Sequence, residues 1–338
     1  MGDAHGRDIA VQDKSNRTIF KDACLWAYQD TYVSNNQNGK YYFEGGVIRG
    51  RTDFVCGKGD VYYNKVTLRQ VKSGYLAVPS VPKQYGYIFQ SCKIVGDTQD
   101  ADGTYTLGRP WGKGTPIALF IDTEMEIQPT VAGWSEMSGG YPKRFAEYGS
   151  HTSKGTAVDV SGRKTEYDAY DSKDGDIYVN RRTEYNNPVL TAEEAAVPTL
   201  NAVMGQDDEW QPTLLTEQAP VPGNVAADAA TITWEDNSYT LLWAICKDGK
   251  VIDFTTTPSY TATEVGEYAV RAANEMGGLG EMSQAVTVSE ITGISAIHNA
   301  QFIMQNEYYD LQGRRVNGLK KGVNIVKMSD GTVRKIAK

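Results

Sequence analysis

Asp30 and Asp53 stand 23 residues apart, in the short motifs Gln29-Asp30-Thr31 and Thr52-Asp53-Phe54. If the chain winds in coils of about that length, the two carboxylates project from one face of neighbouring strands, ~4.8 Å apart in backbone spacing. Two carboxylates so close cannot both ionise freely, so one holds its proton while the other stays charged. That split supplies a proton donor and a nucleophile. Arg109, in Leu107-Gly108-Arg109-Pro110-Trp111, is the residue type that would fork onto the charged partner. Spacing alone does not choose which Asp takes which part. Each motif by itself also reads as a turn, a capped strand end or a loop whose Trp covers core; only their order and spacing together point to chemistry.

The elements that must position these residues are strands. Residues 8–170 hold many short β-type runs broken by Gly, Asp or Asn, among them Thr18-Ile19-Phe20, Tyr41-Tyr42-Phe43, Asp60-Val61-Tyr62-Tyr63 and Tyr87-Ile88-Phe89. They recur at a loose spacing of about 20 residues, as stacked coils of a solenoid would, although a sandwich also gives short strands. Thr191 followed by Glu194 is a capping-box pattern and predicts a short helix that closes this module. The stretch 218–226, with two Pro and a Gly, reads as a linker. Beyond it, alternating strands such as Thr231-Ile232-Thr233-Trp234 and Tyr268-Ala269-Val270-Arg271, with an Asp-Gly turn at 248–249, predict a small β-sandwich over 227–290 that resembles immunoglobulin or fibronectin type III modules. The expected architecture is all-β: a solenoid over 1–217, the linker, the sandwich, and a β tail over 291–338.

The chain has 338 residues and a net charge of −8, with 40% hydrophobic and 22% charged residues, which is a folded rather than a disordered composition. Charge is uneven: residues 41–120 carry a balance of +4, 191–290 of −13 and 291–338 of +5. No dense basic run with interleaved aromatics occurs, so nucleic acid is not an expected partner. No apolar stretch is long enough to span a membrane, and the first residues show no export signal. Four scattered cysteines (Cys24, Cys56, Cys92, Cys246) and three His exclude a CxxC pair or a His-rich metal site and read as buried free thiols.

Taken in order, the motifs resemble the pectin methylesterases, the pectinesterase family of carbohydrate esterases. Gln29-Asp30-Thr31 is similar to the family's QDT, Thr52-Asp53-Phe54 with Gly57 to its VDF and following Gly, and Leu107-Gly108-Arg109-Pro110-Trp111 to its LGRPW. Weaker echoes follow at Phe89-Gln90-Ser91-Cys92, Gly133-Trp134, Ala146-Glu147-Tyr148 and Trp210-Gln211-Pro212. The resemblance covers about residues 5–215 and implies a right-handed parallel β-helix that removes methyl groups from polygalacturonate methyl esters without metal or cofactor. It implies Asp53 as nucleophile, Asp30 as acid and then base, Gln29 as oxyanion donor, Arg109 as the partner of Asp53, and Trp111, Phe54 and Thr31 as substrate contacts. The alternative reading is a pectin-binding β-helix with impaired catalysis; another ester hydrolysis on the same scaffold is a further rival. Arg49, Arg51, Lys58 and Lys113 near the motifs favour a polyuronate.

The sequence departs from the family pattern at particular places. Counting back 22 residues from Gln29 to the family's other oxyanion glutamine lands on Arg7, Cys56 stands where an aromatic is usual, and Met137 replaces a second Trp. The family's first coils and capping helix are almost absent ahead of Gln29, so the sequence reads as part of a longer product. At the other end, Tyr308-Tyr309-Asp310-Leu311-Gln312-Gly313-Arg314-Arg315-Val316 and Lys321-Gly322-Val323-Asn324-Ile325-Val326 resemble the tails of secreted Bacteroidetes proteins. That implies an extracellular or cell-surface protein handled by secretion machinery.

Overall fold

A computed structural model describes residues 8–237, 239–291, 307–309, 314–327 and 333–338. By contact clustering the chain forms two compact units, residues 1–216 and 217–338. Arg7 lies outside the described residues, as do positions 310–313 of the tail motif.

The first unit is a parallel β-solenoid. Its strands run in coil order: β1 (Val11–Asp13), β2 (Arg17–Lys21), β3 (Cys24–Trp26), β4 (Tyr32–Ser34), β5 (Lys40–Glu44), β6 (Val47–Gly57), β7 (Asp60–Asn64), β8 (Thr67–Pro79), β9 (Tyr87–Gln90), β10 (Lys93–Gly96), β11 (Tyr105–Gly108), β12 (Ile117–Ile121), β13 (Glu124–Met125), β14 (Arg144–Tyr148) and β15 (His151–Thr152). One sheet stacks β2-β5-β7-β9-β12-β14, so the solenoid makes six turns. The second sheet follows β1-β4-β6-β8-β10-β13-β15, with β3 added to β6 and β11 to β8. Both β3 and β4 lie on β6, at 47–49 and 55–57, and the register shifts of β6 against β8 fall between those two pairings.

Identical positions of successive coils stack inside. Phe20, Phe43, Tyr63, Phe89 and Phe120 pair in register across β2, β5, β7, β9 and β12, and their rings follow each other at 4.1–5.0 Å. Each such ring pair contributes ~0.5–1.5 kcal/mol beyond the area it buries. The alternate residues Tyr42, Tyr62, Ile88 and Leu119 point outward, yet they are buried too. Their cover comes from the chain after the coils: α1 (Ala192–Ala195), α2 (Leu200–Gly205) and α3 (Thr213–Thr216) follow, and Leu190, Val203, Met204 and Trp210 pack on that face. The capping box forms: Thr191 Oγ1 accepts from Glu194 N at 3.2 Å, and Glu194 Oε2 accepts from Thr191 N at 2.9 Å. Ahead of the helices the chain makes an antiparallel excursion, β16 (Glu166–Ala169) on β19 (Arg182–Tyr185) and β17 (Ser172–Asp174) on β18 (Ile177–Val179).

The second unit is antiparallel. Strands β20 (Ala226–Asp228), β21 (Thr231–Thr233) and β24 (Ser259–Thr261) form one sheet; β22 (Leu242–Lys247), β23 (Lys250–Thr255), β25 (Gly266–Ala273) and β26 (Val286–Val288) form another. Ile232, Trp234, Trp243, Ile245 and Val270 make its core. Asp248 and Gly249 both take positive φ, 49° and 76°, as the two-residue turn joining β22 to β23 requires. A further sheet joins β27 (Glu307–Tyr309), β28 (Arg315–Val316), β29 (Val323–Lys327) and β30 (Val333–Ala337).

Two expectations need correction. The stretch expected as a linker is partly built into the second unit: Ala219 and Val225 pack in its core, and Gly223 O accepts from Glu235 N at 3.0 Å. Ala219 and Val225 gain burial there that a free linker would not give them, while Val221 stays exposed. Cys24, at the start of β3, is exposed; the other three cysteines are buried, and none of the four forms a disulfide. Among the described residues no helix is long and apolar enough to cross a membrane.

Candidate active site

Gln29 and Asp30 lie between β3 and β4. Gln29 makes an isolated parallel bridge to Thr52, and Asp30 N donates to Thr52 O at 3.2 Å. The offset between the coils is constant here, since Gln29 pairs with Thr52 and Tyr32 with Val55. Asp30 therefore stands opposite Asp53 on the neighbouring strand. Both take left-handed backbone, φ 58° and 53°, a conformation that Asp tolerates better than most residues.

The next pairing explains how Asp53 turns outward. Thr52 pairs with Tyr75 and Val55 with Ala77, so Asp53 and Phe54 together face the single residue Leu76. Such a bulge re-aims side chains: Phe54 goes fully into the core, and Asp53 goes to the outer face at 5% exposure. Gly50 permits the tight bend, because a Cβ there would meet Phe54 Cβ at 2.2 Å and Thr31 Oγ1 at 2.8 Å.

Arg109 arrives from the coil beyond. Its backbone N donates to Ala77 O at 3.0 Å, and Trp111 N donates to Pro79 O at 3.0 Å, so the segment after β11 stays laid along β8. From there Arg109 Nε donates to Asp53 Oδ1 at 3.0 Å and Nη2 to Oδ2 at 2.7 Å. This two-point contact fixes the plane of the carboxylate. The guanidinium is itself held 3.7 Å above the Tyr75 ring.

Gln29, Asp30, Asp53, Arg109 and Trp111 line one cleft of about 380 Å³. Trp111 is 41% exposed and offers a face to a ligand. Two expected substrate contacts are elsewhere. Phe54 and Thr31 are both fully buried, Phe54 because of the bulge and Thr31 because its hydroxyl donates inward to Arg49 O at 2.9 Å. They brace the site from behind. Three of the four residues of the expected basic surround are committed to other partners: Arg49 pairs with Asp97, Arg51 donates to Tyr28 Oη and Ser73 O, and Lys113 donates to Ser138 O and Tyr170 O.

Cys56 and Met137, noted in the sequence only as departures from the family pattern, line the same cleft, together with Gln12, Val33 and Val78, which the sequence reading did not single out. Gln12, Val33, Cys56 and Val78 fall in one register across four strands. Cys56 Sγ lies 3.8 Å from Asp30 Oδ1. The signal was present only as coil offsets of 21, 23 and 22 residues, which become countable once the pairings are known. Among the described residues no group of three or more His, Cys, Asp or Glu side chains converges. A depression of about 570 Å³ between Lys83 and α2 is larger, but its carboxylates, Asp207 and Glu209, follow α2 in the chain rather than standing in register on adjacent strands, and Lys83 there is tied to Gln206 and Asp207. Chemistry rather than volume selects the cleft.

A family model described as pectinesterase matches residues 1–183. Pectinesterase A of Dickeya chrysanthemi is 27% identical over 232 residues, covering 61% of this chain and 57% of that protein. The pectinesterase/pectinesterase inhibitor U1 of Solanum lycopersicum is 28% identical over 171 residues, 46% of this chain and 28% of that protein. Among solved structures, the pectin methylesterase from Yersinia enterocolitica aligns with a TM-score of 0.45 and 23% identity, over 58% of this chain and 63% of that one. The chain spans about half the length of the curated relatives it matches.

Proposed function

The chain belongs to the pectinesterase family, and from that premise we propose that its solenoid hydrolyses methyl esters of polygalacturonate to pectate and methanol. Asp53 adds through a carboxylate oxygen to the C6 ester carbonyl carbon. The bond from that carbon to the methoxy oxygen breaks, the methoxy oxygen takes the proton of Asp30, and methanol leaves an acyl anhydride on Asp53. Water then adds to the acyl carbon and gives a proton to Asp30, releasing the free acid and restoring both residues. Gln29 donates to the oxygen on which charge develops, a contact worth ~10²–10³ in rate. Arg109 orients Asp53, and Trp111 stacks on a sugar ring.

The observation that carries this reading is the Arg109 fork on Asp53, with Asp30 in register on the neighbouring coil and an exposed Trp111 at the same cleft. Methanol release from highly methylated pectin by the 338-residue chain tests it. Retention on pectin without methanol would replace it with the binding-module reading. An esterase for a cell-wall polymer belongs outside the cell. We assign the two antiparallel sheets that share a core over 219–291 to an immunoglobulin-like spacer, and the C-terminal sheet to a secretion-type tail.

A further inference from the structure

We propose that Trp26, Tyr28, Arg49, Arg51 and Arg69 form a second polysaccharide-binding surface, outside the cleft, that takes unesterified, anionic stretches of the polymer. The inference rests on the reading above for the kind of sugar alone, and no step of catalysis enters it. Four of the six tryptophans are buried. Trp111 lines the cleft, whereas Trp26, at 56% exposure, lines no part of it. An exposed indole leaves a large apolar face in water that packing has not used. Leu25 packs against the solenoid core, so the alternate residue Trp26 points out. Trp26 pairs in register with Arg49 on the next coil, and Arg49 with Arg69 on the coil after. The same offset sets Tyr28 opposite Arg51, whose backbone N donates to Tyr28 O at 2.7 Å. Each ring therefore has a guanidinium beside it: Arg49 lies 5.5 Å from the Trp26 ring and Arg51 lies 5.6 Å from the Tyr28 ring. Gln29, which lines the cleft, directly follows Tyr28. The surface thus starts at the cleft and runs back along the strand for ~10 Å to Trp26.

The cations here are fixed in place but not neutralised one for one. Arg49 and Arg69 share a single carboxylate, Asp97, at 2.6 Å and 3.6 Å. Arg51 donates to Tyr28 Oη and Ser73 O, both at 2.9 Å, and among the described residues no carboxylate pairs with it. Three guanidiniums therefore stand against one carboxylate, within the stretch 41–120 whose balance is +4. A guanidinium with N–H groups to spare takes a carboxylate at two points, and a methyl ester brings no charge for it to meet. Ring and cation side by side match a uronate: the sugar's apolar face lies on the ring, and its carboxylate reaches the guanidinium one coil on. A chain that grips demethylated polymer beside its cleft stays on the stretch it has already processed.

The test is equilibrium binding of the 338-residue chain to three polymers: polygalacturonate, the same polymer with its carboxyls reduced to alcohols, and poly-L-glutamate. None carries a methyl ester, so turnover does not intrude. At low salt polygalacturonate should bind at least ~5-fold more tightly than the reduced polymer, and the difference should shrink towards ~1 M salt. Arg51→Gln combined with Arg69→Gln should weaken polygalacturonate binding by ~3–10-fold and barely touch the reduced polymer. Trp26→Ala should weaken both sugars by ~3–10-fold, because a ring holds the sugar face whatever its charge, and should leave poly-L-glutamate unchanged. Arg69→Glu reverses one charge and serves if the double variant does not fold, as judged by circular dichroism and thermal melting. Folded variants that bind polygalacturonate within ~2-fold of wild type would overturn the surface. Poly-L-glutamate bound by the wild-type chain as tightly as polygalacturonate would overturn it too, since any polyanion would then do. Binding as expected without methanol release from methylated pectin overturns the parent reading and leaves the surface standing.

Discussion

A carboxylate attacks an ester carbonyl well only if its oxygens are held still and a proton donor stands at the leaving group. Asp53 is held by two hydrogen bonds from Arg109, so the two kinds of failure separate by residue. Asp53→Asn should abolish methanol release, because an amide cannot form the anhydride. Asp30→Asn should lower kcat by ~10²–10⁴ while pectin binding changes little, checked by equilibrium binding beside the turnover assay. Arg109→Lys keeps a charge but loses the planar fork; kcat should fall by at least ~10-fold with KM nearly unchanged. Trp111→Ala should do the reverse and chiefly raise KM, since stacking holds substrate and transition state alike. A Trp111→Ala variant with unchanged KM and reduced kcat would move that residue out of the binding role.

At the scale of elements, the outer face of the six-stranded sheet depends on how α2 and the chain after it are docked. Lys40 is fully buried; its ammonium donates to Met204 O at 2.8 Å and pairs with Asp208, which also takes Arg17 Nη2 at 2.6 Å. Asp60, equally buried, accepts from the backbone N–H groups of Lys83, Gln84, Tyr85 and Gly86 and from Gln206 Nε2 at 2.7 Å. Burial works to raise the Asp208 carboxyl, but hydrogen bonds from Lys40 and Arg17 outweigh it and hold it down at about 2. A depressed carboxyl stabilises the fold above its unfolded value, near 4, and that contribution is lost as pH falls through about 2. Asp208→Asn should therefore cost ~2 kcal/mol at neutral pH, where it leaves the Lys40 ammonium only the more distant Asp207 carboxylate at 3.6 Å. The gap to wild type should stay level down to about pH 4 and close towards pH 2, measured by urea unfolding at each pH. A gap that widens in acid would mean the lock is not electrostatic.

At the scale of the whole molecule, every residue that lines the cleft belongs to the unit ending at Thr216. The second unit has its own core around Trp234, Trp243, Ile245 and Val270. A chain ending after Thr216 should keep kcat/KM on methylated pectin within ~2-fold of the full protein, and calorimetry of the full protein should resolve more than one transition. A large loss of activity on truncation, with the solenoid still folded, would give the second unit a direct part in substrate handling.

The sequence alone determined the features that depend on local chemistry and on recurrence. Short apolar runs at a loose period indicated coils, Thr191 and Glu194 indicated a helix start, and the ordered motifs at Asp30, Asp53 and Arg109 carried the family resemblance on which the proposed site rests. The tertiary structure decided everything that depends on register. Phe54 and Asp53 are adjacent in sequence, and nothing in their types says that a bulge against Leu76 sends one to the core and the other to the cleft. Coils running from 20 residues (Lys40 to Asp60) to 31 (Tyr87 to Ala118) cannot be phased by counting. The alignment of Val33, Cys56 and Val78 beside Asp30 was therefore hidden in plain text. In a solenoid the neighbours that matter lie one coil away, and the loops between strands set that distance along the chain while leaving the ~4.8 Å strand spacing unchanged.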